Sequence, residues 1–371
     1  MRWLALDVFR AVAVLWMIQG HTFTALLGSG DIFKGDLGQI YRLLHGLTAP
    51  MFLAGAGLAY GIVTFSAPRP AAPGRMLRRA LMLFAIGTVL QLPAAPVRTI
   101  IEQRALLAAT LQPAALQLMA ACLVVAELLR LIPGRLRFAA TSLALSVAVA
   151  VITPWAWGVS LSSQYLLGSW IDGQTGAQFP LLPWLSFFLL GVAISALFGA
   201  SLWRERARTP LIGLFGLALS ALCYWLFLRG ERLHALYGEH AFWLTSPMFM
   251  AFRAGLVLAW LGLLSAASAA LARAFAAWPG LARLIAALSR HSLVAYVVHL
   301  SMLYGLPPLR GEHGVTPHFS LPECTAVCAL ILFVSVLSVL SWERLRDLVV
   351  GFVQLARTAL RSASRSAGLT K

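Results

Sequence analysis

Apolar residues recur along this chain in runs of about 20, the length an α-helix needs to cross the ~30 Å hydrocarbon core of a bilayer. The runs predict membrane spans at 4–27, 45–66, 77–95, 110–130, 138–157, 180–199, 209–228, 246–272, 286–306 and 322–342. The expected fold class is therefore all-α, a polytopic integral membrane bundle of about ten transmembrane helices. Residues 1–345 form the membrane domain and 346–371 a basic cytoplasmic tail.

Arginines concentrate in alternate connections. Arg69, Arg75, Arg78 and Arg79 follow the second span, Arg130, Arg135 and Arg137 the fourth, Arg204, Arg206 and Arg208 the sixth, and Arg273, Arg283 and Arg290 the eighth. The opposite connections are poor in basic residues and carry acids such as Asp31, Asp36, Glu102, Asp172, Glu239 and Glu312. The positive-inside rule then places both termini in the cytoplasm, as an even number of spans requires. Arg2 ahead of an apolar run imitates a signal peptide, but Asp7 and Arg10 interrupt that run and nine more spans follow, so it is read as uncleaved.

Composition agrees: of 371 residues 60% are hydrophobic and 11% charged, with a mean hydropathy of +0.82. The net charge of +16 does not point to nucleic acid, because the basic residues, nearly all Arg, are spread between apolar runs rather than gathered on one face. Cys122, Cys223, Cys324 and Cys328 fall in or beside predicted spans, with neither a disulfide framework nor a metal-ligand spacing. Neither a metal nor a permanently bound cofactor is expected.

The candidate chemistry lies where polar side chains interrupt the apolar runs. The first span carries Asp7, Arg10, Gln19 and His21, and ionisable groups within a span are functional candidates by default. At about 100° and 1.5 Å per residue, Asp7, Arg10 and His21 fall within roughly 60° of one another over ~21 Å of helix length. One polar stripe thus crosses most of the bilayer. The predicted topology adds His45 and Thr48, Arg253, and Tyr296 with His299 to the outer half of the membrane.

Neutral imidazoles suit proton abstraction from a hydroxyl or an amine at physiological pH. At the inner face Arg75, Arg78, Arg79 and Arg290 offer phosphate-compatible guanidinium groups. This layout fits acyl transfer from a donor made in the cytoplasm to an acceptor outside. The same arginines also serve simply to orient the spans.

The opening Arg2-Trp3-Leu4-Ala5-Leu6-Asp7-Val8-Phe9-Arg10, running on to Gln19-Gly20-His21, resembles the first-helix signature of bacterial relatives of heparan-alpha-glucosaminide N-acetyltransferase, a transmembrane acyltransferase family. Further segments fit in order: His45-Gly46-Leu47-Thr48-Ala49-Pro50 on to Gly57, the Leu116-Gln117 pair, Leu182-Pro183-Trp184-Leu185 with Gly191, and Ser289-Arg290-His291-Ser292-Leu293 through Tyr296 to His299. The resemblance implies ten or eleven helices in a bacterial inner membrane. It also implies acetyl-CoA or another acyl-CoA as cosubstrate and a sugar amine or hydroxyl as acceptor. His291 departs from the family's usual Asn, and 22–44 lack the loop histidine of the animal enzyme.

The resulting expectation is an acyl-CoA-dependent N- or O-acetyltransferase acting on an envelope glycan, glycolipid or small acceptor. His21 is the base and His45 second to it, Asp7 and Arg10 hold the polar path, and direct transfer is preferred over an acyl-histidine intermediate. Gln19, Tyr296, His299 and Arg253 meet the acceptor, while Arg75, Arg78, Arg79 and Arg290 meet the CoA. A transporter or flippase of an envelope precursor is the alternative from another class, and a non-catalytic assembly or sensing protein a further one. Gly57 and Gly61 permit close helix contact, within the bundle or in a homodimer.

Overall fold

The computed structural model describes residues 3–27, 35–65, 72–93, 95–158, 165–173, 177–198, 208–305 and 319–368. Its elements, in chain order, are α1 (Leu4–Leu26), α2 (Gly35–His45), α3 (Thr48–Phe65), α4 (Pro73–Gln91), α5 (Val97–Glu102), α6 (Arg104–Leu111), α7 (Ala115–Leu129), α8 (Arg135–Gly158), α9 (Tyr165–Ile171) and α10 (Leu181–Phe198). They continue with α11 (Arg208–Leu228), α12 (His234–Tyr237), α13 (Phe242–Thr245), α14 (Pro247–Ala266), α15 (Ser268–Ala277), α16 (Pro279–Arg290), α17 (Ser292–Tyr304) and α18 (Leu321–Gly368). The fold is an all-α polytopic bundle. Among the described residues the only extended pairing is an isolated bridge between Leu27 and Phe319. In hydrocarbon, helices satisfy their own backbone groups, which is why the apolar runs resolve this way.

Among the described residues seven helices are long and apolar enough to cross a membrane, or up to nine if each of two bent pairs makes one span. Two expected spans fall short for identifiable reasons. The third, α4, carries Arg75, Arg78 and Arg79 in its first seven residues. The ninth is broken at His291, which leaves α17 only 13 residues long. The fourth bends by 65° between α6 and α7, at Gln112-Pro113-Ala114, where a proline lacks the N–H that would continue the helix.

At the centre, α1 packs against α3, α14, α16, α17 and α18. Ala5, Phe9, Ala11, Ala13, Val14 and Ile18 are fully buried along it. Two pairs of helices touch through small residues. A Cβ at Gly57 would strike the Phe188 carbonyl, one at Gly61 the Ser195 hydroxyl, and one at Gly191 the Ala54 carbonyl, so α3 and α10 lie backbone to backbone. The Gly57/Gly61 pair is thus used inside the bundle. In the same way Gly213 meets Gly262 and Gly216 meets Gly255 across α11 and α14. Leu211, Leu214, Phe215, Leu217, Leu222 and Tyr224 of α11 face outward and exposed, the surface expected of a helix whose solvent is lipid.

Candidate active site

Asp7, Gln19 and His21 of the first helix each meet a partner from elsewhere in the chain, and two clusters result, one at each end of α1. At the N-terminal end Asp7 sits in the first turn, where the helix dipole favours an anion. Its Oδ1 accepts a 2.7 Å hydrogen bond from the Ser289 hydroxyl of α16. The charges of Asp7 and of Arg79 from α4 both act on Arg10, and the Arg10 stem packs at 3.3 Å against the place a Cβ would take on Gly55. The arginines expected at the inner face therefore divide. Arg79 joins Arg10, whereas Arg78 donates to the Gly74 carbonyl of its own helix at 3.1 Å and Arg290 to the Ala286 carbonyl at 3.2 Å. Arg75 is exposed.

At the opposite end His21 Nδ1 stands 2.9 Å from His299 Nε2, with the two rings 18° from parallel. His299 Nδ1 in turn lies 2.9 Å from the Ala295 carbonyl. A carbonyl can only accept, so His299 Nδ1 carries the hydrogen. With both rings neutral, His299 Nε2 is then an acceptor and His21 Nδ1 the donor to it. That assignment leaves Nε2 of His21 as a bare lone pair, and among the described residues nothing caps it. His299 is fully buried, and Tyr296 meets its ring edge-on at 5.5 Å. Both residues are buried, His299 directly against His21 and Tyr296 against His299. Gly305, at φ +76°, ends the helix that carries them.

His45 closes the other side. It is the last residue of α2 rather than part of α3, and Gly46 and Leu47 form the turn between the two helices. A Cβ on Gly20 would collide with the His45 ring, so only glycine in α1 admits it next to His21. His45 stacks on Tyr41 with centroids 5.9 Å apart, and Tyr41 accepts from Gln19 Nε2 at 3.1 Å. The His45 Nδ1 atom is buried without a hydrogen-bond partner. Arg253 follows directly, with its Nη2 3.1 Å from the place a Cβ would take on Gly46.

Glu127 went unnoticed in the sequence although it obeys the rule that singled out Asp7. It sits in the last turn of α7, is 7% exposed, accepts from the Tyr60 hydroxyl at 2.7 Å and pairs with Arg130 at 3.6 Å. By sequence it falls inside the expected span 110–130, three residues before Arg130.

A multi-helix membrane bundle with a hydrogen-bonded pair of imidazoles at one end of its central helix, and arginines at the other, defines the class: a polytopic membrane protein with polar groups gathered inside its bundle. Residues 2–226, more than half of the chain, match the family described as heparan-alpha-glucosaminide N-acetyltransferase, catalytic. The chain belongs to this membrane acetyltransferase family. The matched part contains Asp7, Arg10, Gln19, His21, His45 and the arginines of α4; Arg253, Arg290, Tyr296 and His299 lie beyond it. No curated protein matches the chain.

Proposed function

We propose that the protein moves an acetyl or other short acyl group from cytoplasmic acyl-CoA to an envelope glycan, glycolipid or related small acceptor on the outer side of a bacterial inner membrane. The His21 to His299 to Ala295 chain of hydrogen bonds carries this reading. It presents a neutral imidazole with its tautomer fixed and its basic nitrogen exposed, the arrangement a general base needs.

In this mechanism His21 Nε2 takes the proton of the acceptor hydroxyl or amine as that atom attacks the thioester carbonyl. The tetrahedral intermediate expels the CoA thiolate, and the proton on Nε2 passes to the sulfur, so the base is regenerated. While His21 is an imidazolium its Nδ1–H continues to donate to His299 Nε2, which stabilises the charge and holds the ring plane. At the Asp7 end, Arg10 and Arg79 form a paired cationic site suited to donor phosphates, and Asp7, held by Ser289, offsets their repulsion. The ~21 Å stripe along α1 links the two ends.

The test is transfer of radiolabel from acetyl-CoA into the envelope fraction of membranes containing the protein or its His21→Ala variant. Label that depends on His21 supports the reading. Label that is unchanged in His21→Ala removes His21 as the base, and the absence of label with wild-type protein removes acyl transfer altogether.

A further inference from the structure

Where α11 and α14 leave their glycine contacts, large aromatic side chains replace the small ones. Gly213, Gly216, Gly255 and Gly262 hold the helices together along one half. Toward the His21 end the same two helices carry Tyr224, Phe227, Phe249 and Phe252, and α13 adds Phe242 and Trp243. Together these line a cavity of about 650 Å³, within the ~300–1,000 Å³ range of small-molecule sites. Ile40 of α2, Tyr224 and Trp243 form its rim and are 52%, 53% and 55% exposed on the apolar flank of the bundle. An exposed apolar rim of this kind suits the acyl chain of a lipid.

One buried cation breaks this apolar lining. Arg253 is 9% exposed, its guanidinium lies over the Phe249 ring at 4.2 Å, and its Nε and Nη1 atoms are buried with no hydrogen-bond partner. Among the described residues no carboxylate pairs with it. A buried charge without a counter-charge is costly, by several kcal/mol in real proteins, so the site calls for an anion. Arg42 also lines the cavity, and Arg232 packs from outside on the cavity residues Phe227 and Phe242, at 4.2 and 5.1 Å. Positive charge thus collects at the end of the bundle where the topology otherwise has little.

We infer that this cavity binds a membrane lipid bearing a phosphate headgroup, the phosphate on Arg253 and the chain against the aromatic wall, and that such a lipid or its glycosylated form is the acyl acceptor. The lipid's role as acceptor rests on the acyl-transfer reading above; its binding does not. The geometry joins the two sites: Arg253 abuts Gly46, His45 precedes Gly46, and the His45 ring lies on Gly20 beside His21. A headgroup held on Arg253 would therefore sit on the side of His45 that leads, through Gly46 and Gly20, to His21.

Native mass spectrometry of the detergent-purified full chain tests this with phosphatidylglycerol as probe and diacylglycerol and inorganic phosphate as comparators. Wild-type protein should retain phosphatidylglycerol, retain diacylglycerol at least tenfold less, and keep its lipid in excess inorganic phosphate. Arg253→Gln should lower retention about tenfold or more, with Arg253→Lys recovering part of it, and Trp243→Ala at the exposed rim should also weaken it. Equal retention of diacylglycerol, displacement by inorganic phosphate, or retention unchanged in both Arg253→Gln and Trp243→Ala would overturn the inference. His21→Ala should bind the lipid normally while failing to transfer label. Loss of lipid binding in Arg253→Gln with transfer intact removes only the lipid's role as acceptor, whereas lipid binding with no transfer of label by the wild type removes the acyl-transfer reading and leaves the binding site standing.

Discussion

His21 on α1 and His299 on α17 are 278 positions apart in the chain and 2.9 Å apart in space. The second ring exists in its bonded tautomer because of a third group, the Ala295 carbonyl one turn earlier on the same helix. The basic nitrogen of the site is thus defined by a backbone carbonyl two hydrogen bonds away.

His299→Ala removes the acceptor for His21 Nδ1–H and lets the imidazole turn. The expected result is a fall in kcat of about 100-fold, the size of effect a misplaced catalytic group produces, with the KM for acyl-CoA unchanged. His299→Gln, whose side-chain carbonyl can still accept from His21, should recover part of the rate. A KM change without a kcat change would instead make His299 an acceptor-binding residue.

The arginines of α4 should separate. Arg79→Gln removes a charge that acts together with Arg10 and should weaken acyl-CoA binding by about tenfold or more, since a hydrogen bond to a charged group contributes about 1.5–3 kcal/mol. Arg78→Gln, whose wild-type side chain is occupied by the Gly74 carbonyl, should have the smaller effect. Titration of donor into detergent-solubilised protein measures both, and unchanged affinity in the two variants would leave these arginines with a purely topological role.

Much of this was legible in the sequence because hydrocarbon imposes simple rules. The ~20-residue apolar runs located most of the long helices, and the intramembrane residues Asp7, Arg10 and His21 marked the two places on α1 where the structure gathers polar groups. Pairings between distant helices were not legible. Nothing in spacing shows that Asp7 meets Ser289 or that His21 meets His299, since both contacts depend on how α16 and α17 fold back onto α1. Glycine gave the weakest signal and carries much of the packing. Gly20 admits His45, and the Gly57/Gly191 contact fixes α3 on α10, yet each reads locally as a small apolar residue. The expectations for Asp31, Arg69, Arg204, Arg206 and Glu312 lie outside the described residues.

Gly191→Ala tests the α3 and α10 contact. The added methyl meets the Ala54 carbonyl, a backbone atom that cannot swing aside, and overpacking of this kind costs about 1–3 kcal/mol. The midpoint of thermal unfolding in detergent should fall. Gly280→Ala on α16, where a Cβ meets no neighbour, should leave it level or raise it slightly through helix propensity. Equal behaviour of the two variants would mean that the helices do not touch at Gly191.

His21 and His45 differ in support, and this predicts an order of effect. His21 has a ring fixed by hydrogen bonds through His299, whereas His45 is held by stacking on Tyr41 and by the shape of Gly20, its Nδ1 without a partner. Loss of a general base costs about 100- to 10,000-fold in rate, while loss of a packing or positioning contact costs no more than one interaction. Purified His21→Ala should therefore bind acyl-CoA and lose transfer by that margin, and His45→Ala should retain a reduced but measurable rate. Donor binding is the control that separates a lost base from a lost fold. If His45→Ala is inactive while His21→Ala transfers at near wild-type rate, the base belongs to α2, and the bond between His21 and His299 serves only to seat α17 on α1.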